Sequence, residues 1–93
     1  MTTIYKYDLA PIQEQGVMLP EGAKILKVDA QHNLLKLWAL VDTSKPPKTL
    51  LVRIICTGEE IEKSLDGWEY KDTYQLCGGD FVHHVFIKWI DKQ

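Results

Sequence analysis

Residues Glu21 to Asp42 read EGAKILKVDAQHNLLKLWALVD, and their side chains specify a β-hairpin that turns at His32-Asn33. A two-residue turn there sets Val28 opposite Leu37, Leu26 opposite Ala39 and Ala30 opposite Leu35 on one face. The other face then pairs Asp29 with Lys36, Lys27 with Trp38 and Ile25 with Leu40. Opposite charges and a cation beside an aromatic ring are favourable cross-strand pairs. A slip of one residue puts Asp29 against Leu35 and Lys36 against Val28, and turns the apolar set outward. Each large apolar side chain so exposed forfeits roughly 1.5–3 kcal/mol of burial, so the first register is preferred. Both turn residues tolerate positive φ better than most, as a type I′ turn requires.

Outward from this hairpin the chain alternates in short runs. Ile4 to Leu9 places Tyr5, Tyr7 and Leu9 on one face and Lys6 and Asp8 on the other, which is the pattern of a half-buried strand. Ala10-Pro11 ends it, since proline has no ladder donor. Gln15 to Leu19 is a second short strand, closed by the turn Pro20-Glu21-Gly22. Beyond the hairpin, Thr43 to Lys48 is a loop with two prolines. From Thr49 to Thr57 the chain is again a strand, with Leu50, Val52, Ile54 and Cys56 on one face and Leu51, Arg53, Ile55 and Thr57 on the other.

Gly58 to Gly67 breaks the β pattern, and Ile61 and Leu65 at i and i+4 suit one helical turn or a packed loop. Trp68 to Leu76 and Phe81 to Ile90 then form a closing hairpin around Cys77-Gly78-Gly79-Asp80. Its expected register sets Leu76 against Phe81, Tyr74 against His83, Tyr70 against Ile87 and Trp68 against Trp89. On the reverse side Glu69 meets Lys88, Thr73 meets His84 and Lys71 meets Phe86. The expectation is a single all-β domain over residues 1–93, a small antiparallel sandwich or barrel of six to seven strands, with one short helical turn or loop near 59–66.

Composition narrows the function. The chain has 93 residues, 45% hydrophobic and 10% aromatic, with a formal net charge of −2, which suits a folded domain with a modest core. That charge balance, without a Lys/Arg run, argues against general nucleic-acid binding. No apolar run reaches the length of about 20 residues that spans a bilayer, and MTTIYKYDL lacks the apolar core of a signal peptide. The expectation is a cytoplasmic protein with no membrane partner. Cys56 and Cys77 lack metal-ligand spacing and read as reduced thiols in that compartment.

Three groups of residues are candidates for chemistry. Asp72, Tyr74 and His83 form a polar trio on an apolar face, either a ligand-binding or acid/base cluster or an internal hydrogen-bond network. His84 points the opposite way from His83, so the adjacent pair cannot chelate one metal; no metal, cofactor or catalytic nucleophile–base pair is expected. Arg53, the only arginine, lies mid-strand either as a solvated or interface residue or as an anchor for a carboxylate or phosphate. Ile25, Trp38 and Leu40, with Leu34, Lys27 and Lys36, fall on the second face of the central hairpin. With Leu51 and Ile55 they would make an apolar patch, read either as a second sandwich layer or as an oligomer interface.

The segments Ile4-Tyr5-Lys6-Tyr7, Pro20 to Leu26, Leu37 to Asp42, Thr57-Gly58-Glu59, Thr73 to Leu76, Gly78-Gly79 and His84-Val85-Phe86 occur in this order. In that order the whole chain resembles a family of small uncharacterised phage and prophage proteins, a domain of unknown function. The resemblance implies a phage-encoded accessory protein and no particular activity. The leading expectation is a non-enzymatic protein that acts by binding, as a host-defence antagonist engaging a host protein. A second is sequestration of a nucleotide-type ligand in a pocket between protomers, using Arg53 and Trp38. A third is a small hydrolase using Asp72 and His83. Homo-oligomerisation, as a dimer through Ile25, Trp38 and Leu40, is expected.

Overall fold

His32 and Asn33 adopt φ of 53° and 61°, the backbone that a type I′ turn demands. They join strands β3 (Lys24–Gln31) and β4 (Leu34–Asp42) in the expected register, with Val28 opposite Leu37 and Asp29 opposite Lys36. The computed structural model describes residues 1–90. Its other strands are β1 (Thr2–Asp8), β2 (Glu14–Pro20), β5 (Pro47–Cys56), β6 (Glu69–Leu76) and β7 (Phe81–Trp89).

The strands form two antiparallel sheets, one of three strands in the order β1-β4-β3 and one of four in the order β2-β5-β7-β6. They stack as a β-sandwich, and among the described residues no barrel closes. Between the sheets, Leu35, Leu37, Ala39 and Val41 of β4 share one core cluster with Leu50, Val52 and Ile54 of β5 and Val85 and Ile87 of β7. Alternation along each strand supplies these inward sets. Pro20-Glu21-Gly22-Ala23 carries the chain between sheets by a turn that closes with Ala23 N–H donating to the Pro20 carbonyl. Gly22 sits there at φ 82°, the left-handed third position of a type II turn.

Two bulges depart from the sequence reading. In β3 the register shifts between Ile25 and Lys27, so Ile25 pairs with Ala39 and Lys24 with Leu40. The extra residue is Leu26, which is 40% exposed, while Ile25 is only 7% exposed and belongs to the core. Ile25 is therefore not an interface residue: the bulge exchanges the faces of Ile25 and Leu26. In β6 the shift lies between Tyr70 and Asp72. Leu76–Phe81, Tyr74–His83 and Thr73–His84 pair as expected, but Tyr70 pairs with Phe86 and Glu69 with Ile87. The anticipated Glu69–Lys88, Lys71–Phe86 and Tyr70–Ile87 pairs therefore do not form, and the strand begins one residue after Trp68, short of a Trp68–Trp89 pair.

Residues 59–66 form a loop, the second of the two expected alternatives, and a short 3-10 turn lies at Cys77–Gly79. Nor do Leu51 and Ile55 extend the outer face of the central hairpin. They lie on the outer side of the four-stranded sheet, where the 57–68 loop lies over Arg53 and Ile55. Ile55 is thereby buried outside the main core.

Candidate functional site

One end of the sandwich gathers the connections that alternation alone could not place. Leu9 to Gln13 crosses from the three-stranded sheet to the four-stranded one, held by Leu9 N–H donating to the Leu35 carbonyl and Ile54 N–H donating to that of Gln13. The Gln15 side chain clamps the crossing segment. Its carbonyl accepts from Ala10 N–H and its amide donates to the Ala10 carbonyl. At the end of β5, Cys56-Thr57-Gly58-Glu59 is a tight turn in which Glu59 N–H donates to the Cys56 carbonyl. The Glu59 carboxylate reaches back to accept from Cys56 N–H at 2.9 Å and from the Gln13 amide.

These elements enclose a cleft of about 380 Å³ between the sheets. Its walls are mainly apolar, including Leu9, Ile54 and Leu76, while Ile12 and Leu34 at the lip are 51% and 61% exposed. A few polar groups interrupt them: Tyr74, His83 and Cys56 on the four-stranded sheet, with Glu59, Gln13 and Asn33 at the rim. The Tyr74 hydroxyl and His83 Nδ1 are 2.9 Å apart, with the rings edge-to-face. Burial pushes the Tyr74 hydroxyl up to about 12, helped by the nearby Cys56 thiol, so Tyr74 stays protonated as a hydrogen-bonding group at neutral pH. Cys56 pairs directly with His83 across β5 and β7, and its thiol is free and exposed. Sequence reading grouped Tyr74 with His83 but did not bring Cys56, Ile12, Leu34 or Glu59 to them. The β5-β7 pairing that brings Cys56 beside His83 joins strands far apart in the chain.

Asp72 does not join Tyr74 and His83. The β6 bulge carries it to the seam between the sheets, where its carboxylate accepts from Val28 N–H at 2.8 Å. It thus stitches one edge of each sheet together, satisfying a donor that the β3 edge would otherwise leave unpaired.

On the opposite face of β7, His84 belongs to a separate chain of polar side chains. Tyr70 Oη lies 2.7 Å from Thr73 Oγ1, Thr73 Oγ1 lies 3.0 Å from His84 Nδ1, and His84 Nε2 lies 2.7 Å from Thr57 Oγ1. Thr57 Oγ1 in turn approaches the Val82 carbonyl at 3.4 Å. A carbonyl only accepts, so the direction that uses every contact runs from the Tyr70 hydroxyl to that oxygen. It gives His84 a proton on Nε2 and an accepting Nδ1. Three segments quoted above for the family resemblance meet in this chain.

Arg53 is committed elsewhere. Nε donates to Glu14 at 3.2 Å, Nη1 to the carbonyls of Lys63 and Ser64, and the guanidinium stacks 4.2 Å above the Trp68 ring. It ties the 57–68 loop to β5 and β2. Trp38 and Lys27 sit across from each other on the outer face of the three-stranded sheet, remote from Arg53 on the other sheet. Cys56 and Cys77 are both free, Cys56 at the end of β5 and Cys77 in the turn after β6, with β7 between those two strands. Among the described residues, no group of three or more His, Cys, Asp or Glu side chains could hold a metal ion, and no helix is long and apolar enough to cross a membrane.

A family model described as Domain of unknown function (DUF7352) matches residues 1–93, the whole chain. The chain belongs to this DUF7352 family. No curated protein and no solved structure gives a match. In this DUF7352 chain the two polar clusters lie back to back across β7. One opens into an apolar cleft, and the other lies on the outer surface of the four-stranded sheet.

Proposed function

We propose that the protein is a non-enzymatic binding module whose end cleft receives an apolar group projecting from a partner protein. One observation carries the reading: a 380 Å³ mainly apolar cleft with exposed Ile12 and Leu34 at its lip and a few polar groups, Tyr74, His83 and Glu59 among them. Binding sites commonly combine apolar walls with a few convergent polar groups that fix orientation. Here the Tyr74–His83 pair and Glu59 would select a side chain or terminus with a polar edge. An acid/base role for His83 lacks an oriented partner, because its Nδ1 contact is a tyrosine held protonated and Asp72 is engaged at Val28. A nucleotide-type ligand anchored by Arg53 would have to displace Glu14 and two loop carbonyls. The resemblance to small phage proteins supports an accessory role in the host cytoplasm, with a host protein as the partner.

Cys56 supplies the test, since its thiol lines the cleft. In a Cys77→Ser background, partner protein captured from host lysate should slow alkylation of Cys56, and Leu34→Asp should abolish both capture and protection while leaving the fold intact. Undiminished capture by Leu34→Asp, with Cys56 still freely alkylated, would overturn the reading.

A further inference from the structure

We infer that the outer face of the three-stranded sheet is the interface of a two-fold homodimer, with the strands of the two copies antiparallel. The inference is independent of the end cleft and rests on how charge is arranged across β1, β4 and β3. Because Leu35, Leu37, Ala39 and Val41 point into the core, Lys36, Trp38, Leu40 and Asp42 point outward. Pairing then orders this face in rows. Asp8, Lys36 and Asp29 form one; Lys6, Trp38 and Lys27 form the next; Ile4, Leu40 and Lys24 form the third. An acid–base–acid row thus lies beside a cation–aromatic–cation row. Ile4, Leu40 and the bulged Leu26 are exposed, and Ile4 and Leu40 share the outward rows.

This pattern is self-complementary in one orientation. A two-fold axis lying across the strands, between the Lys36 and Trp38 rows, lays each acidic row on the cationic row of the second copy. Lys6 then faces Asp8 of the second copy, Lys27 faces its Asp29, and Trp38 lies over its Lys36, a cation–aromatic contact. The same axis brings the Leu40 row over the level of Leu34. An axis parallel to the strands would instead oppose Lys6 to Lys27 and Asp8 to Asp29, which like-charge repulsion disfavours. A second copy therefore matches the face in charge, and symmetric self-association is the commonest mode of oligomerisation. Three strands about 4.8 Å apart and nine residues at about 3.4 Å make a face of roughly 400 Å² per copy in projection. Doubled over two copies this is roughly 800 Å², below the standard size of stable interfaces and in the range of weak, transient ones, so the dimer should dissociate reversibly on dilution.

Sedimentation equilibrium of the full chain tests the inference. Wild type should show a concentration-dependent monomer–dimer equilibrium. Lys27→Glu or Asp29→Lys alone should raise the dissociation constant about tenfold or more, since each places like charges opposite one another twice. Mixing the two variants should restore the dimer as a heterodimer. The carboxylate introduced at position 27 of one variant then faces the ammonium introduced at position 29 of the other, and the unchanged Asp29 of the first faces the unchanged Lys27 of the second. An intrachain effect of either substitution could not produce that rescue, and thermal melts of each variant verify folding. A wild type that stays monomeric at millimolar concentration, a dimer indifferent to both substitutions, or failure of the mixture to associate would each overturn it.

Discussion

His83 and His84 are neighbours in sequence and share no surroundings. His83 turns inward beside buried Tyr74 at the wall of the end cleft, whereas His84 turns outward into the line of hydroxyls formed by Tyr70, Thr73 and Thr57. The inner group exposes an apolar cavity with little polar surface; the outer group lies on a sheet surface and uses up its own donors and acceptors. A strand's two-residue period separates adjacent imidazoles into different environments. What each can do is then decided by which strand lies opposite: β5 and β6 together bring Cys56 and Tyr74 to one, and Thr57 and Thr73 to the other.

The largest test of this contrast replaces the two tyrosines of β6. Tyr74 is 4% exposed and Tyr70 is 54% exposed. Tyr74→Ala should cost about 3–5 kcal/mol, as truncation of a buried aromatic does, while Tyr70→Ala should cost less than about 1 kcal/mol. Urea midpoints measure both, and equal losses would mean that the outer chain is part of the structural core.

Next in size is Asp72, the inner-face polar residue that binds across the sandwich. Asp72→Ala leaves the Val28 N–H without its acceptor and should cost about 1–3 kcal/mol. Asp72→Asn keeps a carbonyl there and should recover most of the loss. Amide exchange at Val28 should quicken in the alanine variant alone. Unchanged exchange at Val28 would show that the seam is not held by this carboxylate.

The outer chain should respond more weakly. His84→Leu and Thr57→Val should each cost about 0.5–1.5 kcal/mol. The double variant should fall short of their sum, since both remove the same hydrogen bond. Strict additivity in urea titrations would dissolve the chain into independent surface contacts.

Titration separates the regions again. Tyr74 holds its proton to about pH 12 when folded because it is buried, against about 10 when unfolded. Stability should therefore fall between about pH 10 and 12, where only the unfolded form ionises. Tyr7 is raised by burial too and adds to the decline, so Tyr74→Phe should flatten it without removing it. On the acid side, the hydrogen bond from Lys36 holds the Asp8 carboxyl low, and those from Ser44 do the same for Asp42. Their contribution is present above the ordinary carboxylate range and is lost as pH falls through their lower folded values. Lys36→Met should shift the acid midpoint upward through Asp8. An unmoved midpoint would show that this surface pair contributes nothing, as many exposed pairs do.

The all-β class, most strand positions and the registers nearest the turns were legible in the residues themselves. Those follow from side-chain period, charge pairing and turn chemistry, which act between residues close along the chain. Within four residues of His32-Asn33 and of the Cys77–Gly79 turn, the cross-strand pairs are as read. Farther out both hairpins bulge, and a bulge leaves no local signature when the residues on either side are apolar, as Ile25 and Leu26 are. The tertiary structure alone decided that Ile25 is core and Leu26 surface, that Asp72 leaves its expected trio to bridge the sheets, and that Arg53 holds a loop. It also decided the strand order β2-β5-β7-β6, and with it the cleft where Cys56 stands beside His83. Periodicity assigns a residue to a face; only the packing of both sheets, which must bury every inward side chain at once and satisfy every edge donor, decides what that face meets.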